Sequence, residues 1–138
     1  MTTYESKVTT IQLSQNQAFV QLSDLRNLEK FKQAIPEQYL SDFVCGENFA
    51  STKTPQFGNV TLRIIEREAD KTIKFAVENL PIQANIWVQL KEISPLDTKM
   101  KLTIKAEIPF FLKSMIGNKL QQGIDKMADT LTFALNKI

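Results

Sequence analysis

The 138-residue sequence contains no histidine and a single cysteine, Cys45. Without histidine the chain lacks the commonest general base and metal ligand, and no Ser-His or Cys-His nucleophile pair can form. One cysteine excludes an intrachain disulfide and a thiolate zinc site. The apolar neighbours Phe43 and Val44 predict that Cys45 is a small buried side chain. We therefore expect no catalytic residue, no metal site and no cofactor.

Long apolar runs and a strong net charge are also missing. No stretch approaches the roughly 20 apolar residues that cross a bilayer as a helix, and the first residues lack the basic and apolar segments of a secretion signal. The net charge of +2 is too small to predict a nucleic-acid partner. We expect one cytoplasmic domain over residues 1–138, without a transmembrane segment.

What is present begins with a strand and two short helices. Alternating apolar residues predict a strand over Tyr4–Ser14. Ser14 and Gln17 have the spacing of a capping box, which predicts that a helix starts there. A second short helix, which ends at Pro36, carries apolar residues about one turn apart. These residues are Leu28, Phe31 and Ile35.

Apolar residues then recur with a period of two. Ser41–Cys45 and Asn48–Thr54 predict two short strands, and four longer strands follow on short connections. The last of them, "TKMKLTIKAEI", alternates most regularly between apolar and polar side chains. Consecutive strands on short connections predict an antiparallel meander with one exposed and one buried face.

The end of the sequence predicts one long helix from about Phe110 to Lys137. Its apolar residues recur at spacings of three and four. They are Leu112, Ile116, Leu120, Ile124, Met127, Leu131, Leu135 and Ile138. Gly123 falls on this stripe and Gly117 beside it, although each glycine costs a helix about 1 kcal/mol relative to alanine. Two interpretations of Gly123 stay open: it permits close contact with the sheet, or it borders a cavity.

The element order, together with "AFVQLSDLRNLEKF" after the first strand, resembles the START-like helix-grip (SRPBCC) superfamily. That superfamily includes lipid-transfer domains, Bet v-type plant allergens and polyketide cyclases. The residues that carry the resemblance are Phe19, Val20, Leu22, Ser23, Asp24, Leu25, Asn27, Leu28 and Phe31. The resemblance implies an α+β fold in which a curved antiparallel sheet of six to seven strands wraps around the long helix. Many members have tryptophan where Phe31 stands, and the catalytic polar residues of the cyclases have no match here.

The resemblance implies binding or transport of a small hydrophobic molecule, such as a lipid, an isoprenoid or a polyketide-like compound, in a cavity between sheet and helix. The residues expected to line it are Phe43, Phe49, Phe75, Val88, Leu102, Phe111, Met115, Leu120 and Met127. Aromatic side chains and methionine are typical of apolar pockets, and "PFFLKSM" holds more of them than one helix face can bury.

Two alternative functions stay open. One is a cyclase- or dehydratase-like enzyme, for which Glu66, Asn79 and Glu47 are the polar residues able to reach a cavity mouth. The other is a protein-interaction module with a filled cavity. Strand alternation places Trp87 on the exposed face, covered by Lys74 and Lys101, and this face is the predicted protein contact.

Overall fold

The computed structural model describes residues 1–35, 37, 40–55 and 57–138. The strands are β1 (Thr2–Glu5), β2 (Thr9–Ile11), β3 (Val44–Cys45), β4 (Phe49–Thr54), β5 (Gly58–Glu68), β6 (Thr72–Glu78), β7 (Ala84–Ser94) and β8 (Asp97–Ala106). The helices are α1 (Gln15–Leu22), a 3₁₀ helix (Leu25–Ala34), a 3₁₀ turn (Phe110–Leu112) and α2 (Lys113–Leu135). Pro36, the predicted end of the second helix, lies outside the described residues.

The strands of the described residues form one antiparallel sheet. Its order is β1-β8-β7-β6-β5-β4-β3, and β2 pairs with β8 next to β1. The predicted α+β meander with a long C-terminal helix is therefore confirmed. The sheet has eight strands rather than six to seven, because the predicted first strand is split into β1 and β2.

Ser6 explains why this split does not break the sheet edge. Its backbone amide donates to the Leu102 carbonyl at 2.8 Å. Its side-chain oxygen accepts a hydrogen bond from the Leu102 amide at 2.9 Å, in place of a backbone carbonyl. Ser6 is buried at this point. Buried amides need such partners, so one short side chain keeps the pairing intact while the strand changes direction.

The two short helices form where the sequence predicts them. The Ser14 hydroxyl accepts from the Gln17 amide at 3.2 Å, and the Gln17 side chain accepts from the Ser14 amide at 3.2 Å, which confirms the capping box. The second helix is a 3₁₀ helix whose first residues are capped by Asp24. Leu25 and Phe31 are buried, so this helix contributes one apolar side to the core.

The core lies between the helices and one face of the sheet, which we call the inner face. Ile64, Phe75, Ile86 and Ile104 pair in one line across β5–β8 on this face, and all four are buried. Helix α2 packs chiefly against β8, β1, β2 and the 3₁₀ helix. It therefore lies along the β1 side of the sheet.

Candidate ligand site at the start of the C-terminal helix

Polar side chains hold α2 along the edge formed by β1 and β2. The Lys7 amide donates to Asp125 at 2.8 Å, and the Lys7 ammonium pairs with Asp129 at 2.7 Å. Further along, the Gln12 amide donates to Asn136 at 2.7 Å. The helix residues that make these edge contacts are Gln121, Asp125, Asp129, Thr132 and Asn136.

This polar stripe is the feature that the sequence analysis missed. Its members recur at spacings of three and four, as the apolar stripe does, and this spacing was the available signal. The pKa of the Asp125 carboxyl is lowered, chiefly by the hydrogen bond from the Lys7 amide and then by the one from Gln121. The stripe lies along the side of α2 that contacts the edge formed by β1 and β2.

The two glycines of α2 differ in how closely other atoms approach them. A methyl group at Gly117 would lie 2.8 Å from the Tyr4 hydroxyl oxygen, so the helix approaches the sheet closely there. Gly123 is exposed, and a methyl group at that position would have no atom within 4 Å. The close-contact interpretation of Gly123 is wrong. Gly117 lies two turns before the buried Ile124, so both residues are on the side of α2 that faces the sheet.

The inner face of the sheet carries smaller side chains near the start of α2 than it does farther along the strands. Antiparallel pairing places five residues in one line across β4–β8. They are Ala50, Leu62, Val77, Ala84 and Ala106. The neighbouring line, which includes Phe75 and Ile86, consists of bulky side chains. Three alanines therefore lower the sheet surface at this end, which we call the mouth end.

At the mouth end, apolar side chains of both the sheet and α2 are only half-buried. Leu62 and Val77 on the sheet, and Ile116 and Leu120 on α2, pack against the core yet stay partly open to solvent. Tyr4 is also half-buried on the inner face, where it pairs with Ile104. Its hydroxyl has no hydrogen-bond partner among the described residues.

The residues predicted to line a cavity fall into three groups. Phe75, Val88 and Leu102 are buried in the core, where Val88 and Leu102 pair directly. Leu120 and Met127 are half-buried on α2. These five lie between the sheet and the helices.

The other four residues are not gathered at that interface. Phe43 is half-buried beside Lys32, whose ammonium lies 5.7 Å from the ring centre. Phe49 pairs with Arg63 and therefore lies on the outer face of the sheet. Phe111 and Met115 project into solvent. The structure thus separates this predicted set into inner, outer and exposed side chains.

Exposed apolar side chains surround the start of α2. Phe110 is 88% exposed, Phe111 75% and Met115 67%. We call these three residues the apolar rim. Phe57, in the β4–β5 turn at the same end of the sheet, is also exposed.

Two clefts lie at the opposite end of the molecule, near the end of α2. One has a volume of about 180 Å³ and lies between α1 and Ile138; the other, of about 210 Å³, lies between the 3₁₀ helix and Phe133. None of the predicted lining residues borders either cleft. Both are smaller than the roughly 300 Å³ at which small-molecule pockets begin.

Comparison with solved structures gives the fold. The chain is similar to norcoclaurine synthase from Thalictrum flavum in complex with dopamine and hydroxybenzaldehyde, with a TM-score of 0.78, 9% identity, and coverage of 99% of this chain and 87% of that one. It is similar to a conserved protein from Geobacillus kaustophilus, with a TM-score of 0.69, 14% identity, and coverage of 99% and 96%. The chain has the START-like helix-grip fold.

A third helix-grip structure matches the chain over its full length. The Aha1 dimer from Colwellia psychrerythraea has a TM-score of 0.64, 14% identity and coverage of 100% of both chains. No protein-family profile and no curated protein sequence matches the chain. At these identities the likeness establishes the helix-grip fold and no more.

The acidic residues of this helix-grip domain are not arranged around the inner face. Glu66 is exposed and pairs with Lys74 on the outer face, and Glu47 and Asn79 are exposed. The described residues include no cluster of carboxylates or thiols that could hold a metal ion.

Cys45 is half-buried, so the prediction of a buried side chain is wrong. Its thiol donates to a Glu29 carboxylate oxygen at 3.6 Å, and its pKa is raised, mainly by burial and then by that carboxylate. Nucleophilic and redox reactions of cysteine need the thiolate, which both influences disfavour.

Trp87 lies half-buried on the outer face, as strand alternation predicts. Its ring has the Lys74 ammonium at 5.1 Å and the Lys105 ammonium at 5.3 Å. Lys105 takes the covering position predicted for Lys101, which pairs with Glu5 instead. Lysines of the same chain therefore cover part of the ring.

Proposed function

We propose that the protein binds and carries a small hydrophobic molecule without transforming it, in a groove at the mouth end. One observation carries the proposal: the apolar side chains of Leu62 and Val77, on the alanine-containing line of the sheet, and others on α2 are only half-buried. Apolar surface that stays partly open to solvent favours binding of an apolar ligand. Gly123, with open space around it, lies on the same α2 flank as Leu120 and Met127.

The proposed ligand is an elongated or ring-shaped apolar molecule with one polar end. Leu62, Val77 and Ile116 offer it only apolar contacts. The Tyr4 hydroxyl beneath Gly117 is a polar group on this side of α2, and among the described residues it has no hydrogen-bond partner that would compete with a ligand. A ligand carbonyl, carboxylate or hydroxyl group meets this requirement. The solved structure from Thalictrum flavum has the same fold and holds dopamine and hydroxybenzaldehyde, which supports an aromatic ligand as one candidate.

Binding is favoured over an enzymatic function by the placement of Glu66. A general acid or base must come within hydrogen-bonding reach of the reacting group. Glu66 lies on the outer face beside Lys74, with the whole sheet between it and the proposed groove.

A matched pair of alanine substitutions tests the proposal. Ala50 belongs to the inner-face line, whereas Ala76 pairs with Arg63 on the outer face, and both are half-buried. Thermal shift and a fluorescent apolar probe would be measured with fatty acids, prenols and aromatic polyketides. We expect Ala50→Phe to fill the groove and weaken binding about tenfold, which corresponds to roughly 1.4 kcal/mol. Ala76→Phe should leave binding unchanged.

Two results would contradict the proposal. The first is that no ligand class raises the melting temperature, because a ligand that binds only the folded state must do so. The second is equal loss of binding in the Ala50→Phe and Ala76→Phe proteins, which would place the ligand elsewhere.

A further inference from the structure

The apolar rim is an exposed hydrophobic feature that the proposed groove does not use. Phe110, Phe111 and Met115 fall within six consecutive positions, and each is at least two-thirds exposed. Single exposed apolar residues are common on protein surfaces, whereas a contiguous group usually marks an interaction site. The rim lies on the 3₁₀ turn and the first turn of α2, so it projects from the mouth end.

The charged side chains between Glu107 and Asp125 are both lysines. Lys113 and Lys119 are exposed, and neither has an ion-pair partner among the described residues. Residues 108–124 contain these two lysines and no aspartate or glutamate. The first turn of α2 carries no acidic residue, and Leu112 provides no side-chain cap. The positive end of the helix dipole adds to the charge of the lysines.

This combination points to a lipid surface more than to a protein partner. Aromatic and methionine side chains occur in both kinds of interface, but lysine is depleted in protein–protein interfaces. Lysine flanking an exposed apolar cluster on an amphipathic helix is typical of segments that lie in the headgroup region of a bilayer. Unpaired lysines there gain energy from anionic lipids.

We propose that the apolar rim inserts into the headgroup region of an anionic lipid bilayer, with Lys113 and Lys119 contacting the lipid phosphates or carboxylates. In this orientation the mouth end faces the membrane. A lipid-derived ligand then reaches the groove without crossing water. The membrane contact does not depend on the groove being occupied, so the two proposals can be tested separately.

Sedimentation with vesicles tests the contact on the full chain. Vesicles of phosphatidylcholine alone are compared with vesicles that also contain phosphatidylserine. We expect binding to the mixed vesicles that weakens as salt is added, because salt screens the lysines. Phe110→Ser/Phe111→Ser should reduce this binding at least tenfold. Lys113→Gln/Lys119→Gln should remove the preference for phosphatidylserine.

The β7–β8 turn provides a matched control. Ile93 is 57% exposed and Leu96 61% exposed, and the turn lies at the opposite end of the sheet. Ile93→Ser/Leu96→Ser should bind vesicles as the unmodified protein does. All variants change exposed side chains, and circular-dichroism melts check that each is folded.

Three results would overturn the proposal. The unmodified protein could fail to bind either vesicle, or the control variant could lose as much binding as the rim variant. Alternatively, the protein could form a dimer that Phe110→Ser/Phe111→Ser dissociates, which would assign the rim to a second copy of the chain. Retained probe binding by the rim variant would show that the groove is a separate site.

Discussion

Substitution of the two α2 glycines by alanine tests the orientation of the helix directly. Both changes remove the helix-propensity penalty of glycine, which is about 1 kcal/mol. At Gly123 the added methyl meets no atom within 4 Å, so the whole gain should appear as stability. For a domain of this size that raises the melting temperature by about 4 °C.

Gly117→Ala should behave differently, because its methyl would lie 2.8 Å from the Tyr4 hydroxyl oxygen. Overpacking of this kind costs about 1–3 kcal/mol. The clashing atom is at the far end of a side chain that can pivot, so we expect the lower end of that range. The cost then offsets the propensity gain, and Gly117→Ala should be neutral or up to about 1 kcal/mol destabilising.

Removal of the Tyr4 hydroxyl isolates that clash. In Tyr4→Phe the nearest remaining ring atom would lie 3.6 Å from the methyl, an ordinary van der Waals distance. Gly117→Ala should therefore stabilise the Tyr4→Phe protein by about 1 kcal/mol. The two changes together form a double-mutant cycle, with a coupling energy of about 1–2 kcal/mol.

Urea unfolding of the four single and double variants measures these free energies. Destabilisation by Gly123→Ala would refute the reasoning, since it would require close packing at that position. Equal stabilisation by the two alanines in the presence of Tyr4 would also refute it. In that case α2 would be rotated away from the orientation given by its polar contacts.

Three further predictions concern the edge contacts and the ligand. Asp125→Asn should reduce the loss of stability in acid. Because the pKa of Asp125 is lowered in the folded protein, its carboxylate stabilises the fold at pH values above the ordinary pKa of 3.8. This contribution is lost as the pH falls through the folded-state pKa. Ser6→Ala should destabilise the fold by about 1–3 kcal/mol, because it leaves the buried Leu102 amide without its acceptor. Tyr4→Phe should weaken binding of ligands that have a polar end and leave pure hydrocarbons unaffected.

Each of these has its own control. Urea melts of Asp125→Asn at neutral and acid pH should be compared with those of Asp42→Asn, an exposed loop carboxylate; parallel pH profiles would contradict the Asp125 prediction. The control for Ser6→Ala is Ser114→Ala, at an exposed position of α2, which should leave stability almost unchanged. If the Ser6→Ala protein is as stable as this control, the Leu102 amide has found another acceptor. Equal loss of both ligand types in Tyr4→Phe would indicate a packing role for the ring.

Local patterns determined most of the architecture. Residues 98–108 alternate between apolar and polar side chains, which predicts a strand with one buried face. The spacing of Ser14 and Gln17 predicts a capping box, which starts a helix. Short connections between these strands leave little choice but an antiparallel meander. The fold class and the order of elements therefore follow from neighbouring residues.

The tertiary structure alone decided which side of α2 faces the sheet and on which face Phe49 lies. The apolar stripe of α2 is wide enough to allow several rotations, and the edge contacts of Asp125 and Asn136 select one, which brings Gly117 over Tyr4. The face of Phe49 depends on its pairing with Arg63, since a shift of one residue would reverse it. Both outcomes depend on contacts between residues far apart in sequence, and local periodicity does not say which residues those contacts join.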